Sequence, residues 1–364
     1  MERIETRFIV LIVGANQKER IKPAFAVADI LRRRGIMSIF ALPSNSQFIR
    51  AVSEKKYENV AIEKFSENRG WFGNFQRSLK RKSALKNTMK IFATKQIQAV
   101  LSLGGVTSLS ALDVAQKMGI KTFLLEPNAV VSNWHSEFIS SASRIYIPFE
   151  EMLNQVPKSK TLVTGVPVDP NIMTADKRNL PTNKKMLVIF TCRKDSHTIN
   201  ELVRATFRKY PELGKEFFIL QETGEKDVAS VQRFYDEAQI EALCYMQYEN
   251  RGKYYKTSDL VVSRPTSDVV FELLAMRKQG IFIPLHENYD PFQIHNARMA
   301  ARKDIAYVVE EGGSMAIRVK KFYSALNSFL IGNVKMQQNI DAVENEKAAA
   351  KVAADIDSTL SKKV

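Results

Sequence analysis

The stretch Thr164-Gly165-Val166-Pro167-Val168-Asp169-Pro170 runs on to Lys185 and then gives way to Met186-Leu187-Val188-Ile189-Phe190-Thr191. Up to Lys185 it is polar and interrupted by Pro167, Pro170 and Pro181, the composition of a segment between domains. The apolar run that follows restarts a pattern the chain has already been through once. Before the break, strand-like runs at Phe8–Val13, Met37–Ala41, Ala99–Leu103, Thr122–Leu125, Arg144–Ile147 and Thr161–Val163 alternate with helical patterns over Pro23–Arg34, Ala84–Lys95 and Ser108–Met118. After it, runs at Met186–Thr191, Phe217–Gln221, Leu243–Met246, Leu260–Ser263, Gly280–Pro284 and Ala306–Val309 alternate with helical patterns over Thr198–Lys209, Val228–Ala238, Asp268–Met276, Ile294–Arg302 and Met315–Phe329. Gly35 and Gly119 each follow a helix where a left-handed residue is wanted.

Short apolar strands alternating with helices predict parallel sheets covered on both faces. The expected fold is therefore α/β: a domain over 1–165, a linker over 166–185, a second domain over 186–333 and a helical tail over 334–364. The tail is Ala-, Lys- and Glu-rich without Gly or Pro over Val334–Leu360, and reads as one last helix. Two similar halves imply a cleft, and ligands of open parallel sheets bind beyond the carboxyl ends of the strands.

Composition narrows the function. At 364 residues, 45% hydrophobic and 26% charged, the chain is a two-domain globular protein. Phe8–Val13 is far shorter than the roughly 20 residues of a spanning helix. It follows Glu2, Arg3, Glu5 and Arg7 and precedes no small-residue cleavage site, so a buried strand, no signal peptide and a cytoplasmic location are expected. The two cysteines, Cys192 and Cys244, and four histidines have neither disulfide-framework nor zinc-like spacing, so no metal and no cofactor are expected.

The net charge of +15 is concentrated at Arg32, Arg33 and Arg34 and over Arg77, Lys80, Arg81, Lys82, Lys86 and Lys90. A solvated basic face is the common meaning of such a run. Nucleic acid is not expected, because no nucleic-acid module accompanies the charge. Trp71, Phe72 and Phe75 precede it, and aromatic and basic residues side by side suit an anionic membrane surface, here over 71–90.

Several segments in order resemble the MurG family, the N-acetylglucosaminyl transferases that convert lipid I to lipid II. Pro23-Ala24-Phe25-Ala26-Val27-Ala28 with Leu31 to Gly35 is similar to the family's "PALAVA…L…RG". Leu103-Gly104-Gly105-Val106 with Ser108 is like "GGY-x-S", Glu126-Pro127-Asn128-Ala129 like "HEQN-A", and Thr164 to Val168 like "GNPV". Asn200-Glu201-Leu202, Ser263-Arg264, Glu272-Leu273, Pro284-Leu285 and Gln293 with Asn296-Ala297 follow in family order. The resemblance implies the GT-B architecture and an inverting, metal-independent hexosyl transfer from UDP-GlcNAc to a lipid-linked acceptor. It also implies a peripheral location on the inner face of the cell membrane.

The same resemblance distributes the site residues. Arg193, Lys194, Arg264, Thr266, Ser267, Glu272 and Gln293 are expected to hold the donor, with Glu272 on the ribose. Arg20, Gly104, Gly105, Ser108 and Asn128 are expected at the acceptor, and Glu126 or Glu19 as the proton acceptor. The residues also have plainer readings. Gly104-Gly105 is either a loop receiving an anion or a tight strand–helix turn. Asn128 is either a ligand or a helix cap. Glu272 is either a ribose acceptor or a helix-face carboxylate.

Both glycine-rich phosphate loops depart from the family. The first, "GGTGGH", keeps only Gly14 before Ala15-Asn16-Gln17-Lys18-Glu19-Arg20, and Arg20 stands at the histidine position. An arginine binds phosphate but stays protonated and is no general base. The second, "GGSQGA", reads Thr191-Cys192-Arg193-Lys194-Asp195-Ser196, where Arg193 and Lys194 either neutralise a diphosphate or are ordinary loop cations. Val106 replaces the tyrosine, Asp169 an arginine, Pro265 a small residue, and Phe292 one of two glutamines. The alternatives to the transferase are a catalytically inactive paralogue acting as a membrane-surface scaffold, a transferase with another acceptor, and, more distantly, a sugar-nucleotide epimerase.

Overall fold

The computed structural model describes residues 7–63, 73–191, 196–248, 251–286 and 288–362, with side chains from 83 onward in the helix that begins at Gly73. The chain forms two compact units. One takes in the residues up to Asp169 and the segment from Asn345 on; the other is Pro170–Glu344.

In the first unit the elements are β1 (Phe8–Val13), α1 (Lys18–Arg33), β2 (Ile36–Leu42), α2 (Ile49–Glu54), β3 (Glu58–Ala61), α3 (Gly73–Thr94), β4 (Ala99–Ser102), α4 (Leu109–Lys117), β5 (Lys121–Leu125), α5 (Asn133–Ser136), β6 (Arg144–Ile147) and β7 (Thr161–Val163). Among the described residues they make one seven-stranded parallel sheet in the order β3-β2-β1-β4-β5-β6-β7. Period-2 alternation divides its apolar residues between two cores. Val10, Ile12, Phe40 and Leu101 pack with α1 on one face, while Leu11, Val13, Ile39 and Val100 pack with Phe92 and Leu112 on the other.

The second unit runs β8 (Lys185–Ile189), α6 (Ser196–Lys209), α7 (Leu213–Glu216), β9 (Phe217–Glu222), α8 (Val228–Glu237), β10 (Ala242–Tyr245), α9 (Arg251–Thr257), β11 (Leu260–Ser263), α10 (Ser267–Ala275), β12 (Gln279–Phe282), α11 (Pro291–Arg302), β13 (Tyr307–Val308), α12 (Met315–Ile331) and α13 (Val334–Asp341). Its sheet, also parallel, has the order β10-β9-β8-β11-β12-β13. That is the 3-2-1-4-5-6 order of a complete dinucleotide-binding fold, with the direction of winding reversing between β8 and β11. In the first sheet it reverses between β1 and β4.

Three expectations are corrected. The single last helix over 334–360 is two helices, α13 and α14 (Ala348–Ser361). The break has a tertiary cause: buried Asn345 accepts from the Val166 amide (2.9 Å) and donates to the Val166 carbonyl (3.0 Å). From there α14 lays Val352, Ala353 and Ile356 into the α1 side of the first core. Asp355 adds a hydrogen bond from Tyr146 Oη (2.9 Å) and an ion pair with Arg144 (3.3 Å). Secondly, α1 begins at Lys18 and carries Pro23 inside it. Its missing amide forgoes a bond to the carbonyl of Glu19, which is still half-exposed at the start of the helix. Lastly, β3 escapes a reading by apolar runs because Glu58-Asn59-Val60-Ala61 is a partly exposed edge strand.

Candidate active site

At the switch point of the first sheet, β1 and β4 lie side by side, with Val13 paired to Ser102, and their loops leave together. Gly14 begins one loop and Leu103-Gly104-Gly105 the other, tied by Leu103 N–H to the Val13 carbonyl (3.0 Å). Ser108 Oγ donates to the Gly104 carbonyl (2.8 Å) and closes the turn into α4. Gly105 has φ +85°, and a Cβ there would stand 2.5 Å from Arg20 Nη1. The guanidinium thus lies directly over a bare backbone. Burial lowers the pKa of Arg20, while the charges of Glu126 and Glu19 oppose the shift, and the group remains a cation.

Beneath that turn is a chain of buried polar groups from three elements. Glu126, 1% exposed at the end of β5, accepts at Oε2 from the Ser132 amide (2.9 Å) and from His135 Nδ1 (3.1 Å). His135 Nε2 lies 2.9 Å from Ser102 Oγ, and the Gly104 amide donates to that same oxygen (3.2 Å). Both ring nitrogens and the Ser102 hydroxyl find partners if His135 carries its proton on Nδ1 and Ser102 donates to Nε2. Burial pushes the Glu126 carboxyl up, but the hydrogen bond and charge of His135, with the bond from the Ser132 amide, outweigh it and hold the group below the ordinary glutamate range. Its Oε1 is buried with no hydrogen-bond partner among the described residues, as is Ser132 Oγ.

At the second switch point, Thr191 follows β8 and donates to the Glu222 carbonyl (2.8 Å). The expected donor ligands Arg193 and Lys194 lie outside the described residues. Arg264, buried after β11, donates from Nη1 to the Ile283 carbonyl (2.8 Å) and pairs with Glu311 (2.5 Å). It therefore joins the loops after β11, β12 and β13. Thr266 is the N-cap residue of α10 and Ser267 its first helical residue; Thr266 Oγ1 donates to Asp268 Oδ1 (2.6 Å). Gln293 Oε1 accepts from the Leu285 amide (3.1 Å), its Nε2 donates to Asp290 (3.1 Å), and Asn296 holds the Pro265 carbonyl (3.1 Å).

Glu272, 1% exposed, faces Tyr255 Oη (2.8 Å) and Arg251 Nη1 (3.3 Å), and Arg251 also meets Asp268 (2.5 Å). Burial lowers the pKa of Arg251, but the two carboxylates more than offset that and raise it. Tyr255 is pushed up, by burial first and then by the Glu272 charge, and stays a neutral donor.

The structure thus gathers Arg20, Gly104, Gly105, Ser108 and Glu126 at the first switch point. Glu19 is a half-exposed neighbour of Arg20 in the first turn of α1, and Asn128 is buried after β5. Thr266, Ser267, Glu272, Arg264 and Gln293 gather at the second. Sequence reasoning missed Ser102, Ser132 and His135 in the first group and Arg251 and Tyr255 in the second. The available signal was a serine closing the otherwise apolar Ala99-Val100-Leu101. For the basic segment 71–90, Trp71 and Phe72 lie outside the described residues. From 83 on, α3 buries Ala84, Thr88 and Phe92 and turns Lys86, Met89 and Lys90 outward. No helix among the described residues is long and apolar enough to cross a membrane.

Residues 20–147 match the glycosyltransferase family 28 N-terminal domain, and residues 187–355 match the family 28 C-terminal domain. The chain is 25% identical over 309 residues to the UDP-N-acetylglucosamine--N-acetylmuramyl-(pentapeptide) pyrophosphoryl-undecaprenol N-acetylglucosamine transferase of Geobacter metallireducens, covering 83% of this chain and 85% of the relative. It is 24% identical to the protein of the same name from Christiangramia forsetii, over 98% of both chains. The crystal structure of Acinetobacter baumannii MurG superposes with a TM-score of 0.77 at 19% identity, covering 96% of this chain and 99% of that one, a likeness of fold. Both halves of the molecule, each a doubly wound parallel sheet of the GT-B architecture, carry the family's pattern in order, and the chain belongs to glycosyltransferase family 28.

Proposed function

We propose that this chain is a hexosyltransferase that moves N-acetylglucosamine from UDP-GlcNAc to a lipid-linked acceptor, the lipid I to lipid II step of peptidoglycan synthesis. The observation that carries the reading is Glu126. A buried carboxylate held ionised beside a cation, at the end of a strand next to a switch point, is expensive to desolvate and marks a working site.

In this reading the second unit takes the donor. Thr266 and Ser267 at the start of α10, with Arg193 and Lys194, receive the diphosphate, and Glu272 takes the ribose hydroxyls. Arg264 and Gln293 hold the loops that frame it. The first unit takes the acceptor, whose phosphate meets Arg20 over Gly105, with Gly104, Ser108 and Asn128 around it. The acceptor hydroxyl bonds to the anomeric carbon, the bond to the β-phosphate oxygen breaks, and uridine diphosphate leaves with the electron pair. The hydroxyl proton passes to Glu126, which is fixed by two hydrogen bonds, in preference to half-exposed Glu19. The outward cations of α3 and the rest of 71–90 rest on an anionic membrane at its inner face.

The test is release of uridine diphosphate from UDP-GlcNAc with and without a soluble lipid I analogue. Release should require the acceptor and fall by about a hundredfold or more in Glu126→Gln. No release together with no saturable binding of the sugar nucleotide would leave a membrane-surface binding protein instead. Sedimentation with phosphatidylglycerol vesicles should weaken in Lys86→Glu/Lys90→Glu; unchanged sedimentation removes α3 from the membrane contact.

A further inference from the structure

We infer that His135 is a positioning residue for the transfer: it locks the Glu126 carboxylate and the Gly104–Gly105 turn into one mutual geometry. The inference rests on the transferase reading. Its basis is that one imidazole joins three separate elements, Ser102 on β4, Glu126 at the end of β5 and itself on α5. None of the three is more than 1% exposed. Both ring nitrogens of His135 are engaged within the protein, one by Glu126 and one by Ser102, so the ring acts through its neighbours and not on a substrate.

What His135 does is divide the two oxygens of Glu126. Oε2 is taken by the ring and the Ser132 amide, which leaves Oε1 as the oxygen for an incoming proton. From its other nitrogen the ring holds Ser102 Oγ, and that oxygen in turn receives the Gly104 amide. Removing the imidazole leaves the carboxylate held by the Ser132 amide alone, and in the same step leaves Ser102 Oγ, the anchor of the Gly104 amide, without the ring that fixes it. A reacting group misplaced by about 1 Å loses on the order of a hundredfold in rate.

The experiment compares wild type, His135→Ala and His135→Asn. The asparagine amide replaces the Nδ1–H donor toward Glu126 and gives up the link to Ser102. With UDP-GlcNAc and a soluble lipid I analogue, His135→Ala should lower kcat about a hundredfold and leave KM for UDP-GlcNAc within about twofold. His135→Asn should recover at least about tenfold of that loss. Equal losses in the two variants, or a KM for UDP-GlcNAc that rises as kcat falls, overturn the inference. Amide hydrogen exchange of Gly104 is read in the same proteins and does not depend on turnover. Slow exchange in wild type that speeds at least about tenfold in His135→Ala, with β9 amides unchanged, supports the anchoring. Unchanged Gly104 exchange overturns it. Wild type without turnover but with this exchange pattern sinks the transferase reading alone. If His135→Ala does not fold, His135→Asn against wild type decides by the same two measurements.

Discussion

Gly14 and Gly104 meet backbone to backbone where the first sheet reverses its winding. Gly14 has φ +80°, and a Cβ on it would overlap the Gly104 carbonyl oxygen and come within 2.7 Å of Ser108 Oγ. This explains why Gly14 persists while the rest of the family's first glycine loop is rewritten. Gly14 is needed where the loops after β1 and β4 meet.

Gly14→Ala should therefore cost more than backbone strain. A left-handed alanine alone costs about 1–2 kcal/mol, and displacing the Gly104 turn adds to it. Gly119→Ala is the control, since Gly119 also has a positive φ (+66°) but nothing within 4 Å of a new Cβ. Urea unfolding should place Gly14→Ala at least about 1 kcal/mol below Gly119→Ala. Equal losses would show that the two loops have room for the methyl group.

Asn345 bonds both polar groups of Val166, and its replacement should expose which of the two matters. Asn345→Ala leaves a buried amide and a buried carbonyl unpaired and should cost about 2–3 kcal/mol. Asn345→Asp keeps the acceptor for the amide but sets a carboxylate oxygen against the carbonyl, so it should recover little. If Asn345→Asp matches wild type in thermal unfolding, the carbonyl bond contributes nothing.

The Tyr255–Glu272–Arg251 cluster predicts different outcomes for two ways of breaking it. Tyr255→Phe removes one hydrogen bond to Glu272 and should cost about 1 kcal/mol. Glu272→Ala takes one of two carboxylates from buried Arg251 and should cost about 3–5 kcal/mol. Calorimetry on both variants checks the ratio. A fall in sugar-nucleotide affinity is meaningful only in Glu272→Gln, where the packing volume is kept.

Acid should act on the first unit through Glu126, whose folded pKa lies below the ordinary value of about 4.3. A depressed folded pKa contributes stability that is fully present above the unfolded value. That contribution is lost as pH falls through the folded value. The stability gap between wild type and Glu126→Gln should be widest above about pH 5 and close as pH drops below about 4. A gap that stays constant with pH would mean that the carboxylate's charge is not what its surroundings stabilise.

By itself the sequence determined the class of fold and its repetition. Apolar runs of strand length between amphipathic helices have one good solution, a parallel sheet covered on both faces, and the prolines after Thr164 separate two such sheets. The places of Gly104-Gly105 and Glu126 after strand ends were also legible, while Glu272, in the middle of α10, was picked out by family order alone. The tertiary structure alone decided the rest. Asn345 and Val166 are far apart in sequence, so the break before α14 and its return to the first unit leave no local signal. Ser102, Glu126 and His135 likewise sit on three elements and become a chain only when β4 and β5 lie side by side. Periodicity records which face of an element is buried; it carries no information about which buried polar atoms will find one another across the fold.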